Sequence, residues 1–238
     1  MNKITLDTFI QKYNLGGSVN SVKWISDGTT LSTKFISGDK SLLGNVELKK
    51  QTLPVFEVGV YDTAQLAKML GTLSDSIEFE VNEVDNTPTN FHLYDKVLSV
   101  DYVLAALGVI PDVPELKNVP EFNTLVNIDS QFITSFIKGK SALSDVETFS
   151  VKSSDNGVQF VIGYSDMNSN RISLKAQSGA VSITDPITFN ANLFKEVLSA
   201  NKECSKAELQ ISTSGLAHVE FKVDDFVAKY WLVAQQGN

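Results

Sequence analysis

The sequence predicts an α+β protein of two similar domains, each an antiparallel meander carrying two short helices. Three observations lead there. First, Val55–Val81 changes period twice. Val55, Glu57, Gly59 and Tyr61 alternate with Phe56, Val58 and Val60 as in a strand; Leu66, Met69, Leu70 and Leu73 then fall at helical spacing; Ile77, Phe79 and Val81 return to a period of two. Second, Ile187–Ile211 repeats this strand, helix and strand. Asn190 stands where Asp62 stood, a shift of 128 residues, and Phe194, Val197 and Leu198 match Leu66, Met69 and Leu70 at the same shift. Third, Gly108–Phe122 holds Pro111, Pro114 and Pro120, which forbid a helix or a central strand there. The chain therefore divides into residues 1–107, a connector over 108–122, and residues 123–238.

In chain order, Asp7 is the expected cap of a first helix with Phe9, Ile10 and Tyr13 on its apolar face. Val22–Ile25, Thr30–Ile36 and Leu42–Leu48 read as strands, separated by Ser26-Asp27-Gly28 and Ser37-Gly38-Asp39-Lys40, both good turn chemistry. Asp62 with Gln65 three residues on has the form of a capping box for the second helix. Asn90–Leu93 and Val97–Leu104 close the first half. The connector keeps Val109, Ile110, Val113, Leu116 and Val119, so it is expected to lie along a surface. The second half is read as opening directly on a helix capped by Asp129, with Phe132, Ile133, Phe136 and Ile137 inward. Val146–Ser153 and Gly157–Gly163 form a hairpin through Asp155-Asn156-Gly157. Arg171–Gln177, the echo unit, Leu216–Val223 and Val227–Val233 complete it.

Composition excludes several classes. The chain of 238 residues is 42% hydrophobic and can bury a substantial core. No apolar run is long enough to span a bilayer, and MNKITLDTFI lacks a secretory h-region. A single cysteine, Cys204, forbids an internal disulfide and suits a reducing compartment. Twenty basic against 28 acidic residues give a net charge of −8, which on totals alone argues against a nucleic-acid binder. Arg171 is the only arginine, so bidentate reading of bases is not expected.

Chemistry-bearing motifs are missing. There is no phosphate-binding Gly-rich loop, dinucleotide fingerprint, zinc-spaced Cys/His pair or nucleophile elbow. His92 and His218 sit in alternating strands, and Asp224-Asp225 reads as a turn rather than a metal site. No catalytic residue, metal or cofactor is expected.

The lysines are distributed unevenly. Lys12, Lys68, Lys138 with Lys140, and Lys195 with Lys202 fall on the polar sides of the four helical stretches, which sum to +5 and leave −13 for the rest. Charge sorted this way suggests a helical surface that meets a polyanion inside an otherwise acidic molecule.

Over its whole length the chain resembles the DNA sliding clamps, most of all the T-even-type bacteriophage clamps, whose fold is similar to that of proliferating cell nuclear antigen. The likeness rests on the duplicated halves, the length, the acidic total and the connector. It also rests on FEVGVYDTAQLAKMLGTL over 56–73 and HVEFKVDDFVAKYWLVA over 218–234. The resemblance implies processivity-fold domains and a homotrimer closed into a ring around double-stranded DNA. Lys12, Lys68, Lys138, Lys140, Lys195 and Lys202 match its inward, DNA-facing positions. It further implies docking of a replicative DNA polymerase and a clamp loader at a pocket by the connector and the last strand. Leu116, Val119, Val233 and Ala234 are the expected wall. The setting it implies is the cytoplasm of an infected bacterium, with no membrane partner and no enzymatic activity. The alternative left by the residues is a structural protein of a virus particle, also β-rich, acidic and oligomeric, which has no need of lysines sorted onto helices. An enzyme with a site between the halves is the other rival.

Overall fold

Among the residues the computed structural model describes (2–155, 157–165, 167 and 169–235), period-two stretches form strands and stretches with apolar residues three and four apart form helices. They fall into two compact units. The first holds residues up to Ile36, Gly44–Pro114 and Asp224–Val227; the second holds Ser37–Leu43, Glu115–Val223 and the residues from Ala228 on.

The first unit runs α1 (Lys3–Asn14), β1 (Val22–Asp27), β2 (Leu31–Ile36), β3 (Leu42–Leu48), β4 (Val55–Val60), α2 (Thr63–Gly71), β5 (Glu78–Val84), β6 (Thr87–Tyr94) and β7 (Ser99–Val103). Sheet order is β3-β2-β1-β4 in one layer and β5-β6-β7 in the other. Alternation places Val22, Trp24, Leu31 and Phe35 inward, where they meet Phe9 and Tyr13 of α1. Phe9 packs edge-on to Trp24 at 5.3 Å, and Trp24 lies 5.3 Å from Phe91. Tyr13 is fully buried, so its hydroxyl needs partners. Trp24 Nε1 donates to it at 3.2 Å, and it shares a hydrogen bond with Thr63 at 3.2 Å. Gly44 is required by packing, because a Cβ there would lie within the Phe35 ring. Gly44→Ala is expected to cost about 1–3 kcal/mol. An unchanged melting temperature would show that Phe35 moves aside freely.

The second unit runs β8 (Thr124–Asp129), α3 (Ser130–Ala142), β9 (Thr148–Ser154), β10 (Gly157–Ile162), β11 (Ile172–Ala176), β12 (Ser178–Ala180), β13 (Ile187–Asn190), α4 (Ala191–Ala200), β14 (Lys206–Ile211), β15 (Leu216–Val223) and β16 (Phe226–Val233). Order β11-β10-β9-β13 repeats β3-β2-β1-β4, and β14-β15-β16 repeats β5-β6-β7. Six phenylalanines, at 132, 136, 149, 160, 189 and 194, fill the space between sheet and helices.

Local chemistry explains most boundaries, and in four places the structure differs from expectation. Asp62, Asp129 and Asn190 cap their helices as expected, accepting from Gln65 N (2.9 Å), Phe132 N (2.7 Å) and Leu193 N (3.0 Å). The Asp62 N–H, however, is bonded to Tyr102 Oη at 2.9 Å, the place a capping box reserves for Gln65. The first helix begins four residues before Asp7: Asn2 is its cap, accepting from Ile4 N, and Asp7 sits mid-helix. The second half opens on β8 rather than on a helix. Its counterpart in the first half is reduced to one bridge, Asn2 to Ser76, whereas β8 pairs with β14 over six residues. β12, which the periodicity did not announce, is the fourth difference. The β9–β10 hairpin forms, with Ser154 opposite Gly157; Asn156 lies outside the described residues. Asp224-Asp225 is a turn, with Asp224 at φ 51°, and Asp225 pairs with Lys50 at 2.6 Å. No described group of three His, Cys, Asp or Glu side chains is placed to hold a metal.

Candidate nucleic-acid interface and partner cleft

In each unit the two helices lie side by side, α1 with α2 and α3 with α4. The outer faces of α2 and α3 are built of polar residues and a few lysines, whereas α1 also presents Ile4 and Asp7 and α4 presents Glu196. Gln65 and Lys68 are exposed on α2; Gln131, Thr134, Lys138 and Ser141 are exposed on α3. Neither face carries a carboxylate, and Lys68 and Lys138 have no ion-pair partner among the described residues.

The other four lysines differ. Lys12 is 1% exposed, with Nζ 5.4 Å from the centre of the Phe226 ring, so α1 does not present it to solvent. Lys140 is 3% exposed. Its Nζ donates to Ser144 O at 2.8 Å and Leu143 O at 3.4 Å, satisfying carbonyls just past the end of α3. Burial, then the nearby Lys195, pushes its pKa down. Lys12 and Lys140 are therefore corrected from surface to interior positions. The reason is spacing: Lys12 follows Phe9 by three residues and Lys140 follows Phe136 by four, which puts both on the edge of the apolar stripe. Lys195 is half-buried and paired with Glu196 at 3.4 Å. Lys202 is exposed but lies in the turn after α4, which leaves α4 itself neutral.

Five of the hydroxyls on these faces bond back to the main chain; exposed Ser135 of α3 does not. Thr8 donates to Ile4 O, Thr134 to Ser130 O, Ser141 to Ile137 O and Ser199 to Lys195 O, each at 2.8 Å. Thr72 closes α2 by donating to Met69 O at 2.7 Å.

The connector is tied down in each unit. In the first, buried Ile110 packs on Gly59 and Asp112 pairs with Lys23 at 2.9 Å. In the second, Phe122 lies against His218 (6.0 Å), which stacks on Trp231 (4.9 Å, 26°). Leu116 and Val119, 36% and 53% exposed, stand on the span between. Ala234 lines a cleft of about 340 Å³ together with Ile183, Pro186, Ile187, Thr213 and Gly215, none of which the sequence assigned to a partner pocket. Ala234 N–H donates to Gly215 O and Gln235 N–H to Thr188 O, which fixes the last described residues along it. Val233 is exposed beside Ala234, its N–H bonded to Ser41 O; Leu116, Val119 and Val233 do not line this cleft. A second groove, about 600 Å³, runs along the outer edge of β11, lined by Phe132, Ile172 and Leu174.

His218 is expected to make the second unit sensitive to acid. Its Nδ1 meets Gln210 Oε1 at 3.2 Å, while its buried Nε2 has no partner among the described residues. Burial pushes its pKa below the ordinary 6.5; Lys229 adds to this and Glu220 opposes it. The fold thus prefers the neutral ring, and stability present above 6.5 is lost as pH falls below it. Between about pH 7 and pH 5, the melting temperature is expected to drop more steeply in the wild type than in His218→Phe. Equal slopes would assign the acid sensitivity to other groups.

No protein-family model matches the chain, and no curated protein matches it in sequence. In structure it is similar to the proliferating cell nuclear antigen of Entamoeba histolytica, at 14% identity and a TM-score of 0.75, covering 99% of this chain and 97% of that one. It is also similar to a chain of the PCNA2–PCNA3 complex from Sulfolobus tokodaii, at 12% identity and a TM-score of 0.75, with the same coverage. Likeness at such low identity speaks for the fold, and the chain has the clamp fold: two similar domains of antiparallel sheet, each with two short helices.

Proposed function

We propose that this chain is the subunit of a DNA sliding clamp, a non-enzymatic homotrimeric ring that encloses duplex DNA and tethers a replicative polymerase. The observation that carries this reading is the charge on α2 and α3: exposed lysines, no exposed acid, in a chain of net −8 with the clamp fold. Such faces attract phosphate without regard to sequence, while the acidic remainder discourages DNA from binding outside. Two sheet edges, β7 and β11, end their layers and supply pairing for neighbouring copies; the groove beside β11 has room for an incoming strand. The Ala234 cleft is where a short apolar peptide of a polymerase or clamp loader docks. The setting we propose, in line with the resemblance of the sequence, is the cytoplasm of a phage-infected bacterium.

Light scattering on a sizing column tests the ring. A mass near three times 26.0 kDa across a concentration series is expected. A monomer at high concentration would leave the lysine faces with no channel to line and would overturn the reading.

A further inference from the structure

We propose that the back-bonded hydroxyls of Thr8, Thr72, Thr134, Ser141 and Ser199 make the helix faces poor hydrogen-bond donors to phosphate, and so set a low friction for movement along DNA. The inference rests on the clamp reading and concerns how the ring slides. A serine or threonine hydroxyl has one proton to donate. On every one of the four helices that proton is committed to a main-chain carbonyl within the same helix, at 2.7–2.8 Å. What remains outward on each oxygen is lone-pair density, which a phosphate oxygen does not seek. To bond a phosphate the hydroxyl must first give up its helical partner, so the exchange gains little. The five polar side chains keep the surface wet without gripping the backbone. Donation falls to Lys68, Lys138, Ser135 and a few amides such as Gln65 and Gln131.

The pattern is not what a phosphate-binding helix face uses. A binding face relies on free donors and charge, as arginine and lysine provide. Here neutral residues dominate, arginine is absent, and five of the hydroxyls have their donors already used, exposed Ser135 of α3 being the exception among the described residues.

The test is one-dimensional diffusion of the labelled full chain on stretched linear DNA. Rings thread on from free ends, which are then blocked with streptavidin. Changing all five residues to Ala removes the hydroxyls and is expected to leave the diffusion coefficient within about twofold of wild type, because no phosphate bond is lost. Changing all five to Asn, of similar helix propensity, adds uncommitted amide donors and is expected to slow diffusion about threefold or more. Several-fold faster sliding of the Ala variant would show that the hydroxyls do bind phosphate and overturn the inference, as would an Asn variant that slides like wild type. Melting curves and sizing of both variants confirm that the compared rings are intact. Separately, wild-type protein lost equally from end-blocked and open DNA would refute encirclement itself, and the friction inference with it.

Discussion

Phe149→Ala is expected to destabilise the second unit by about 3–5 kcal/mol, a large part of the stability of a typical domain. Phe149 is 2% exposed and sits on β9 at the centre of the aromatic core. Its ring centre is 5.1 Å from Phe136, 5.8 Å from Phe160, 5.7 Å from Phe189 and 5.0 Å from Phe194. These neighbours come from α3, β10, β13 and α4, so one ring ties both helices to the sheet. Removing it leaves a void bounded on four sides by rigid rings, which cannot collapse inward as aliphatic chains do. Phe149→Leu keeps much of the volume and is expected to cost markedly less. Chemical denaturation checks both: a loss for Phe149→Ala under about 1 kcal/mol would mean that the site relaxes and the phenylalanine cluster is not the unit's keystone.

The duplicated architecture was legible because it is written in apolar spacing. Leu66 and Leu70, with Phe194 and Leu198, are buried at 0–1% and announce their helices by position alone. The caps at Asp62, Asp129 and Asn190 were legible for the same reason: they act within three residues of themselves. What was misread depends on partners distant in sequence. β8 alternates plainly, with Thr124, Val126 and Ile128 inward, but the expectation that the halves match hid it, since the first half has only the Asn2–Ser76 bridge in its place. β12 is three residues long and gains its regularity only by pairing with β8. Asn2 caps α1 in a position where the better-placed Asp7 looked like the start; Lys3 N–H bonding to Asp75 O decides it, over a separation no local rule sees.

The candidate surface was read less well than the fold, for a physical reason. A lysine can lay its alkyl stem along an apolar stripe, so a position near the stripe does not settle where its charge ends up. Lys12 and Lys140 went inward by that route, while Lys68 and Lys138, each two residues after buried Leu66 or Phe136 and so on the opposite side of the helix, stayed out. The cleft at Ala234 could not be assembled from sequence: its wall joins the segments 183–188 and 213–215 to the end of the last strand.

These corrections select the charge-reversal experiment with most to lose. In Lys68→Glu with Lys138→Glu, each chain moves from −8 to −12, and both changes fall on exposed helix faces that hold no acid. Neither side chain supports the core, so the chain should melt within a few degrees of wild type and keep its mass on a sizing column. Retention on end-blocked DNA should change greatly. Each phosphate contact contributes roughly 0.9 to the slope of log affinity against log salt. Losing two per chain lowers that slope by about 2 per chain, and the new carboxylates repel what the lysines attracted. At about 0.15 M salt a fall in DNA association of tenfold or more is expected, with recovery when salt is lowered. Lys140→Glu is the contrasting variant. It buries a carboxylate against the Leu143 and Ser144 carbonyls that Lys140 now satisfies, so it is expected to lower the melting temperature and to say little about DNA. If the double reversal leaves association and its salt dependence unchanged, α2 and α3 do not face DNA, and the charge pattern that motivates the clamp reading has another cause.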